Sequence, residues 1–262
     1  MLELRGKTVW ITGASAGLGE ALAHGFAKRG ARLLLSARRT DRLRDVARAV
    51  GGSPEVLPLD LADLDGLEAK AAEARALVGD IDVMVHNAGV GQRALVTEST
   101  FAVDRALMEV NFLGPVALTK ALLPGMLARG GGDFVVISSV LGLMSVKRRA
   151  GYCAAKHALH GYFNALRAEL SADGVRVLMV CPGHIASDFS RSALEGDGKK
   201  HGVDDAGNRS GLTPEDCAAR TLRALEQGKA EIYPAKWESV GVYLNRLSPA
   251  LMRRAMATAK AR

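Results

Sequence analysis

Short runs of consecutive apolar residues, each followed by a longer segment of helical period, constrain the fold of this chain more than any single motif. TVWIT precedes Leu18 to Arg29, RLLLS precedes Asp41 to Val50, and EVLPL precedes Leu64 to Leu77. IDVMVH, Val103 to Leu127, DFVVISS, Ala150 to Leu170 and VRVLMVC continue the rhythm, and a short EIY run follows. A strand that is apolar at every position is buried on both faces, and strands separated by helices run parallel. The pattern predicts a doubly wound α/β fold, a three-layer sandwich around a mostly or wholly parallel sheet of seven strands. Ligands of such sheets bind beyond the carboxyl ends of the strands, so the residues just after each strand are the functional candidates.

The 262 residues, 48% of them hydrophobic, suffice for one domain with a large core, read here as residues 1–262. The first residues run directly into an apolar strand, and no run approaches the roughly 18 consecutive apolar residues of a membrane span, so a cytoplasmic protein is expected. Cys153, Cys181 and Cys217 are odd in number and far apart, which suits reduced thiols. The formal net charge of +7 gathers at Arg38, Arg39, Arg42 and Arg44, at Lys147, Arg148 and Arg149, and at Arg246, Arg253, Arg254, Lys260 and Arg262. Aromatic residues, only 5% of the chain, are not interleaved with these clusters, so no nucleic-acid partner is expected.

After VCPGHI the rhythm lapses. Ser187 to Gly211 is polar, charged and Gly-bearing, and its place after a strand's carboxyl end predicts a mobile substrate lid over 187–212. Thr213-Pro214-Glu215 then starts a helix with an N-cap and a Pro at its first position. The basic tail, from about 238 to 262, spaces Val240, Leu244, Leu247 and Leu251 at helical intervals, with Ser248-Pro249 opening a fresh helix. Two uses fit: a basic amphipathic membrane contact, or a helix covering the core or pocket with a solvated basic face. His157 and His160 have a spacing that could hold a metal, but no carboxylate or Cys completes a set, and no metal is expected.

Two motifs carry chemistry. TGASAGLG, Thr12 to Gly19, lies between the first strand and first helix, where Gly13 allows a tight turn and Gly17 and Gly19 let a dinucleotide approach a helix N-terminus. In GYCAAKHALHGYF, Tyr152 and Lys156 sit four residues apart on one helix face. Alone, that pair also fits an amphipathic helix whose Tyr and Lys reach the surface.

With these motifs in order, the chain resembles the single-domain short-chain dehydrogenase/reductases. ISSVLGLMSVKRRAGYCAAKHALHGYFNALRAEL and TPEDCAARTLRALEQGKAEI are similar to their member-seven-like branch. The resemblance implies a Rossmann-type domain whose cofactor loop includes Gly13, Ser15, Gly17, Leu18 and Gly19. It also implies an adenine contact at Asp60-Leu61, cofactor contacts at Asn87, Ala88 and Gly89 in the element after the fourth strand, and contacts at Pro182, Gly183, Ile185 and Ser187 about the nicotinamide. Asn111, Ser139, Tyr152 and Lys156 match the catalytic tetrad, with Tyr152 and Lys156 also touching the cofactor. His86 stands where members have the first Asn of Asn-Asn-Ala-Gly, and Ser187 stands near a usual Thr.

Those positions imply a mechanism. A phenol with a reference pKa of about 10 is a poor catalyst at neutral pH, and a neighbouring Lys156 ammonium is expected to lower it. By resemblance, Ser139 holds the substrate oxygen, Tyr152 exchanges its proton, Lys156 binds the nicotinamide ribose, and Asn111 holds a relay water. An acid at the end of the second strand would favour NAD, whereas here Ala37 is followed by Arg38 and Arg39, with Ser15 nearby in the turn, so NADP(H) is expected over NAD(H). Leu141, Gln92, Arg93 and His184 join Ser139 as substrate-pocket candidates, and Arg148 or Arg149 could receive an acidic group, although an exposed charge run is the commoner use of such a cluster. The expected activity is reversible reduction of an apolar ketone or aldehyde to its alcohol, by a homodimer or homotetramer built through the helices bearing Asn111 and Tyr152. A cofactor sensor without turnover is the alternative; an epimerase or dehydratase would need a longer substrate domain.

Overall fold

A computed structural model describes residues 2–204, 207 and 210–258. Its strands are β1 (Thr8–Thr12), β2 (Arg32–Ala37), β3 (Glu55–Pro58), β4 (Val83–His86), β5 (Gly132–Ile137), β6 (Val175–Val180) and β7 (Glu231–Ile232). They form one wholly parallel sheet in the order β3-β2-β1-β4-β5-β6-β7. The chain starts at the centre, builds outward to β3, then crosses back to lay β4 beside β1, and that reversal opens a crevice beyond the carboxyl ends of β1 and β4.

Successive strand residues point to opposite faces, and both faces are covered. Val9 and Ile11 enter one core with Leu22 and Phe26 of α1 (Gly17–Ala27), Leu43 and Val46 of α2 (Thr40–Val50), and Leu222 and Leu225 of α7 (Pro214–Glu226). Trp10, between them, enters the other core with Ala71 and Ala74 of α3 (Leu67–Val78), Leu118 and Leu122 of α5 (Gly114–Ala128), and Leu159 and Phe163 of α6 (Ala150–Leu170). This double burial is why the strands read as continuous apolar runs.

The sequence predicts one helix from Val103 to Leu127. The structure instead has α4 (Phe101–Met108), a π-helical turn (Glu109–Leu113) and then α5, because Pro115 has no N–H to continue the regular ladder and Gly114 N donates to Glu109 O, five residues back. By length and composition Phe101–Ala128 could cross a membrane, unlike what the count of consecutive apolar residues suggests; in the fold it packs against α3 and α6. The tail forms α8 (Glu238–Leu247) and α9 (Pro249–Thr258), broken at Ser248.

The 187–212 segment is only partly irregular. Asp188–Ser192 forms a 3₁₀ turn, Leu194 bridges to Gln92 and Lys200, and Ile185 bridges to Leu212. Residues 205, 206, 208 and 209 of the expected lid, and 259–262 of the tail with Lys260 and Arg262, lie outside the described residues.

Candidate active site

The glycine turn is built around Thr12. Its hydroxyl donates to Val85 O and accepts from the amides of Asn87 and Ala88, while Asn87 Nδ2 donates to Thr12 O at 2.9 Å and Gly13 O at 3.2 Å. The Asn87-Ala88-Gly89 element thereby ties the turn to the end of β4. Gly13 and Gly17 take φ of +67° and +57°, a region that side chains disfavour, and a Cβ on Gly19 would stand 2.2 Å from Gly13 O. Ala16, the N-cap of α1, has no capping side chain, and Leu18 is buried behind the turn. The first-turn amides, which no capping side chain takes up, and the close-packed glycines fit a dinucleotide phosphate.

Around this cradle stand the other expected contacts. Ala37, buried, ends β2; Arg38 and Arg39 follow exposed, and Arg39 Nη2 lies 3.4 Å from Ser15 Oγ. Asp60 is exposed and turns one oxygen to Ala62 N, whereas Leu61 is buried close under Gly114. Across the crevice, Ser187 is the residue a Cβ on Gly17 would meet, at 3.4 Å. Pro182 and Gly183 follow β6, and Pro182 O accepts from Val140 N.

Ser139 lies two residues past β5 and caps the short turn Val140–Gly142 by accepting from Leu141 N at 3.1 Å, which leaves Leu141 half-buried at the rim. Tyr152 and Lys156 share the buried side of α6. Lys156 Nζ donates to Ile137 O at 2.8 Å and sits 5.7 Å from the Tyr152 ring centre. Asn111, buried in the π-helical turn, donates to Val90 O and Leu107 O and accepts from Val90 N, all at 2.9 to 3.0 Å. A Cβ on Gly89 would lie 2.7 Å from Asn111 Oδ1 and 3.7 Å from Lys156 Nζ, so β4's exit, the π turn and α6 converge there.

The electrostatics differ from the sequence expectation. Burial pushes the Tyr152 phenol up to about 12, and the groups that draw it back are the Ser139 hydroxyl and the Arg149 guanidinium, rather than Lys156. Lys156 is itself brought down to about 8 by burial. Loss of hydration outweighs the neighbouring cation because both groups lie inside the protein.

Two pocket candidates take a different part. Gln92 is fully buried; Oε1 accepts from Gly151 N at 2.8 Å and Tyr152 N at 3.2 Å, and Nε2 donates to Ser99 and Asp104. It supplies from a distant loop the cap that Arg149, the local N-cap residue of α6, does not. Arg93, also buried, donates to Gln92 O, and the same carbonyl accepts from Arg149. Arg148 and Arg149 are half-buried in this network rather than an exposed charge run.

His184 is held by Glu238, whose Oε1 accepts from its backbone N at 3.0 Å and its Nδ1 at 2.8 Å. Glu238 and Phe189, the latter packed edge-on against Tyr152 at 6.1 Å, were not foreseen; no local pattern marks either. His86 is a core residue, stacked on Phe134 and bonded to Thr119 Oγ1 at 2.9 Å. His157 turns to Cys153 O, whereas His160 meets Cys181 at 3.6 Å and Glu231 at 3.8 Å, so a thiol and a carboxylate do join one histidine. Arg246 and Tyr233 already occupy Glu231 Oε1, and Lys156, Arg167 and Arg246 surround the imidazole, which opposes a dication there.

A glycine-lined turn at the reversal of a parallel sheet, facing a buried Ser, Tyr and Lys across one crevice, defines a nucleotide-binding oxidoreductase of Rossmann type. The family model for short chain dehydrogenase matches residues 7–198, and the chain belongs to that family. It is 39% identical over 257 residues to the Drosophila melanogaster dehydrogenase/reductase SDR family protein 7-like, covering 95% of this chain and 79% of that protein. Among solved structures, a Burkholderia phymatum short-chain dehydrogenase/reductase in complex with NAD superposes with a TM-score of 0.86 at 25% identity, covering 96% of both chains. A Burkholderia cenocepacia short-chain dehydrogenase in complex with NADP gives 0.82 at 25% identity, covering 98% of this chain and all of the other.

Proposed function

We propose that this oxidoreductase reduces a ketone or aldehyde, and in reverse oxidises the alcohol, using NADP(H) in preference to NAD(H). The observation that carries the reading is the burial of Ser139, Tyr152 and Lys156 together, with Tyr152 and Lys156 on one side of α6 and Lys156 Nζ 5.7 Å from the Tyr152 ring centre. A bound nicotinamide would supply or accept the hydride. Gly13, Ser15, Gly17, Leu18, Gly19, Asp60, Asn87, Pro182, Gly183, Ile185 and Ser187 would hold that cofactor.

The chain's own groups divide the proton chemistry. Ser139 orients the carbonyl oxygen. The Tyr152 phenol, neutral at ordinary pH, then gives that oxygen its proton. Arg149 and Ser139 stabilise the resulting phenolate, and Lys156, cationic below about pH 8, adds positive potential and would hold the ribose of a bound cofactor. Asn111, tied to Val90, holds the π turn against Gly89, close to Lys156. Leu141, Phe189 and His184 border the crevice with mostly apolar surface, which suits an apolar substrate.

The NADP(H) preference rests on Arg39 beside Ser15, exposed Arg38, and the absence of a carboxylate at Ala37. A 2′-phosphate would meet forked guanidinium donors there. The test is NADPH and NADH consumption with a panel of ketones and aldehydes, with Tyr152→Phe as control. Turnover that persists in Tyr152→Phe would refute the mechanism, and tight NADPH binding without turnover by the wild type would favour a sensor.

A further inference from the structure

The outer side of α8 is apolar although it faces away from the protein. Glu238 and Val242 mark the inner side, buried against the fold, and Met252 of α9 is buried with them. On the opposite side, Trp237, Val240 and Leu247 are exposed at 74%, 65% and 86%, and Leu251 at the start of α9 is exposed at 51%. Trp237, Val240 and Leu247 fall on one helical stripe, with half-buried Leu244 between them, and Leu251 follows on α9 beyond the break at Ser248. A helix that only covered the core would show polar residues there. Large apolar groups gathered on one exposed stripe mark a surface that something covers.

The charge pattern selects what covers it. From residue 239 to the C-terminus the chain has Arg246, Arg253, Arg254, Lys260 and Arg262 and no Asp or Glu. The preceding Glu238 is buried and committed to His184 and to Lys236 N. Arg253 and Arg254 are exposed on α9, Arg254 on the same side as Leu251, and Lys147, whose Nζ donates to Ala257 O at 2.8 Å, brings a further cation to α9. A two-fold contact with a second copy would set these cations against their own equivalents. Anionic headgroups would neutralise them, while Trp237 and the leucines enter the acyl boundary.

We propose that the Trp237–Leu251 face binds flat on an anionic phospholipid surface. The face is joined to the rim of the crevice, because Glu238 holds His184 and Asn245 Nδ2 donates to Leu143 O at 2.8 Å. Docking would therefore set the crevice rim beside the bilayer, where an apolar compound could pass without crossing water. The lipid contact itself does not depend on which compound is reduced.

The test is flotation of the whole protein with vesicles of phosphatidylcholine alone or with added phosphatidylserine, at low and high salt. The wild type is expected to float with the anionic vesicles, and less as salt rises. Trp237→Ser/Leu247→Ser should lose flotation on both compositions. Arg253→Glu/Arg254→Glu should lose about tenfold or more on the anionic vesicles at low salt. Circular dichroism and thermal melting confirm that both variants fold. Absence of wild-type flotation, or equal flotation of all three proteins, overturns the proposal. So does a fall in sedimenting mass of Trp237→Ser/Leu247→Ser with flotation unchanged, which would assign the face to a second copy.

Discussion

Gln92 and Tyr152, 60 residues apart, are joined by a 3.2 Å hydrogen bond from the Tyr152 amide to the Gln92 side-chain oxygen. The same oxygen accepts from Gly151 N, so a loop after β4 caps the helix that carries the phenol. Gln92→Leu would leave two buried amides unpaired and tilt the start of α6. The expected result is a loss of about 1–3 kcal/mol in denaturant-derived stability and a kcat lowered by about tenfold or more with a smaller change in KM. Equal kcat in wild type and Gln92→Leu would show that the cap does not position Tyr152.

The reaction should depend on pH in opposite senses for its two directions. Reduction needs the neutral phenol, which persists until about pH 12, and a cationic Lys156, which is lost as pH rises through about 8. Reductive kcat is therefore expected to be flat near neutrality and to fall above about pH 8, while oxidative kcat, which needs phenolate, climbs across the alkaline range. Removing the Arg149 guanidinium with Arg149→Gln takes away a group that lowers the phenol, so the oxidative limb should move to higher pH. Profiles of identical sense in both directions would contradict these assignments.

Cofactor preference is expected to follow the end of β2. Arg38→Asp/Arg39→Asp sets two carboxylates where a 2′-phosphate would lie, and should shift the ratio of kcat/KM for NADPH to that for NADH towards NADH by about a hundredfold or more. Parallel kinetics with both cofactors measure the ratio directly, and an unchanged ratio would remove the arginines from the cofactor site.

His86 makes the fold sensitive to acid. Thr119 Oγ1 spends its proton on Pro115 O, so His86 Nε2 is the donor to Thr119 and Nδ1 carries a bare lone pair with no partner among the described residues. Burial lowers this imidazole to about 3 and His160 to about 4, both below the ordinary 6.5. Between those values the unfolded chain binds more protons than the folded one, so stability is full above about pH 6.5 and falls as pH drops towards 3 to 4. The slope for each histidine is at most about 1.4 kcal/mol per pH unit. Urea melts from pH 7 to 4 should show His86→Asn losing less stability than the wild type; parallel curves would mean that His86 is charged in the folded protein.

The sequence by itself determined the parallel sheet, the glycine turn and the shared helix face of Tyr152 and Lys156, whereas Asn111 and Ser139 were marked only by resemblance to the family. Apolar runs report burial on both faces, glycines report backbone that side chains cannot adopt, and an i, i+4 pair reports a shared helix face. All three signals are local. The break in the helix before Gly114 was less legible, because a run of apolar residues cannot show which backbone donors stay paired. Only the tertiary structure decided that Gln92 caps α6, that Glu238 holds His184, that His160 meets Cys181 and Glu231, and that Arg149 rather than Lys156 draws down the phenol. It also decided which stripe of α8 faces outward. These contacts join segments brought together by the crossovers of the sheet, and a buried group's proton affinity depends on everything packed around it, which no stretch of neighbouring residues encodes.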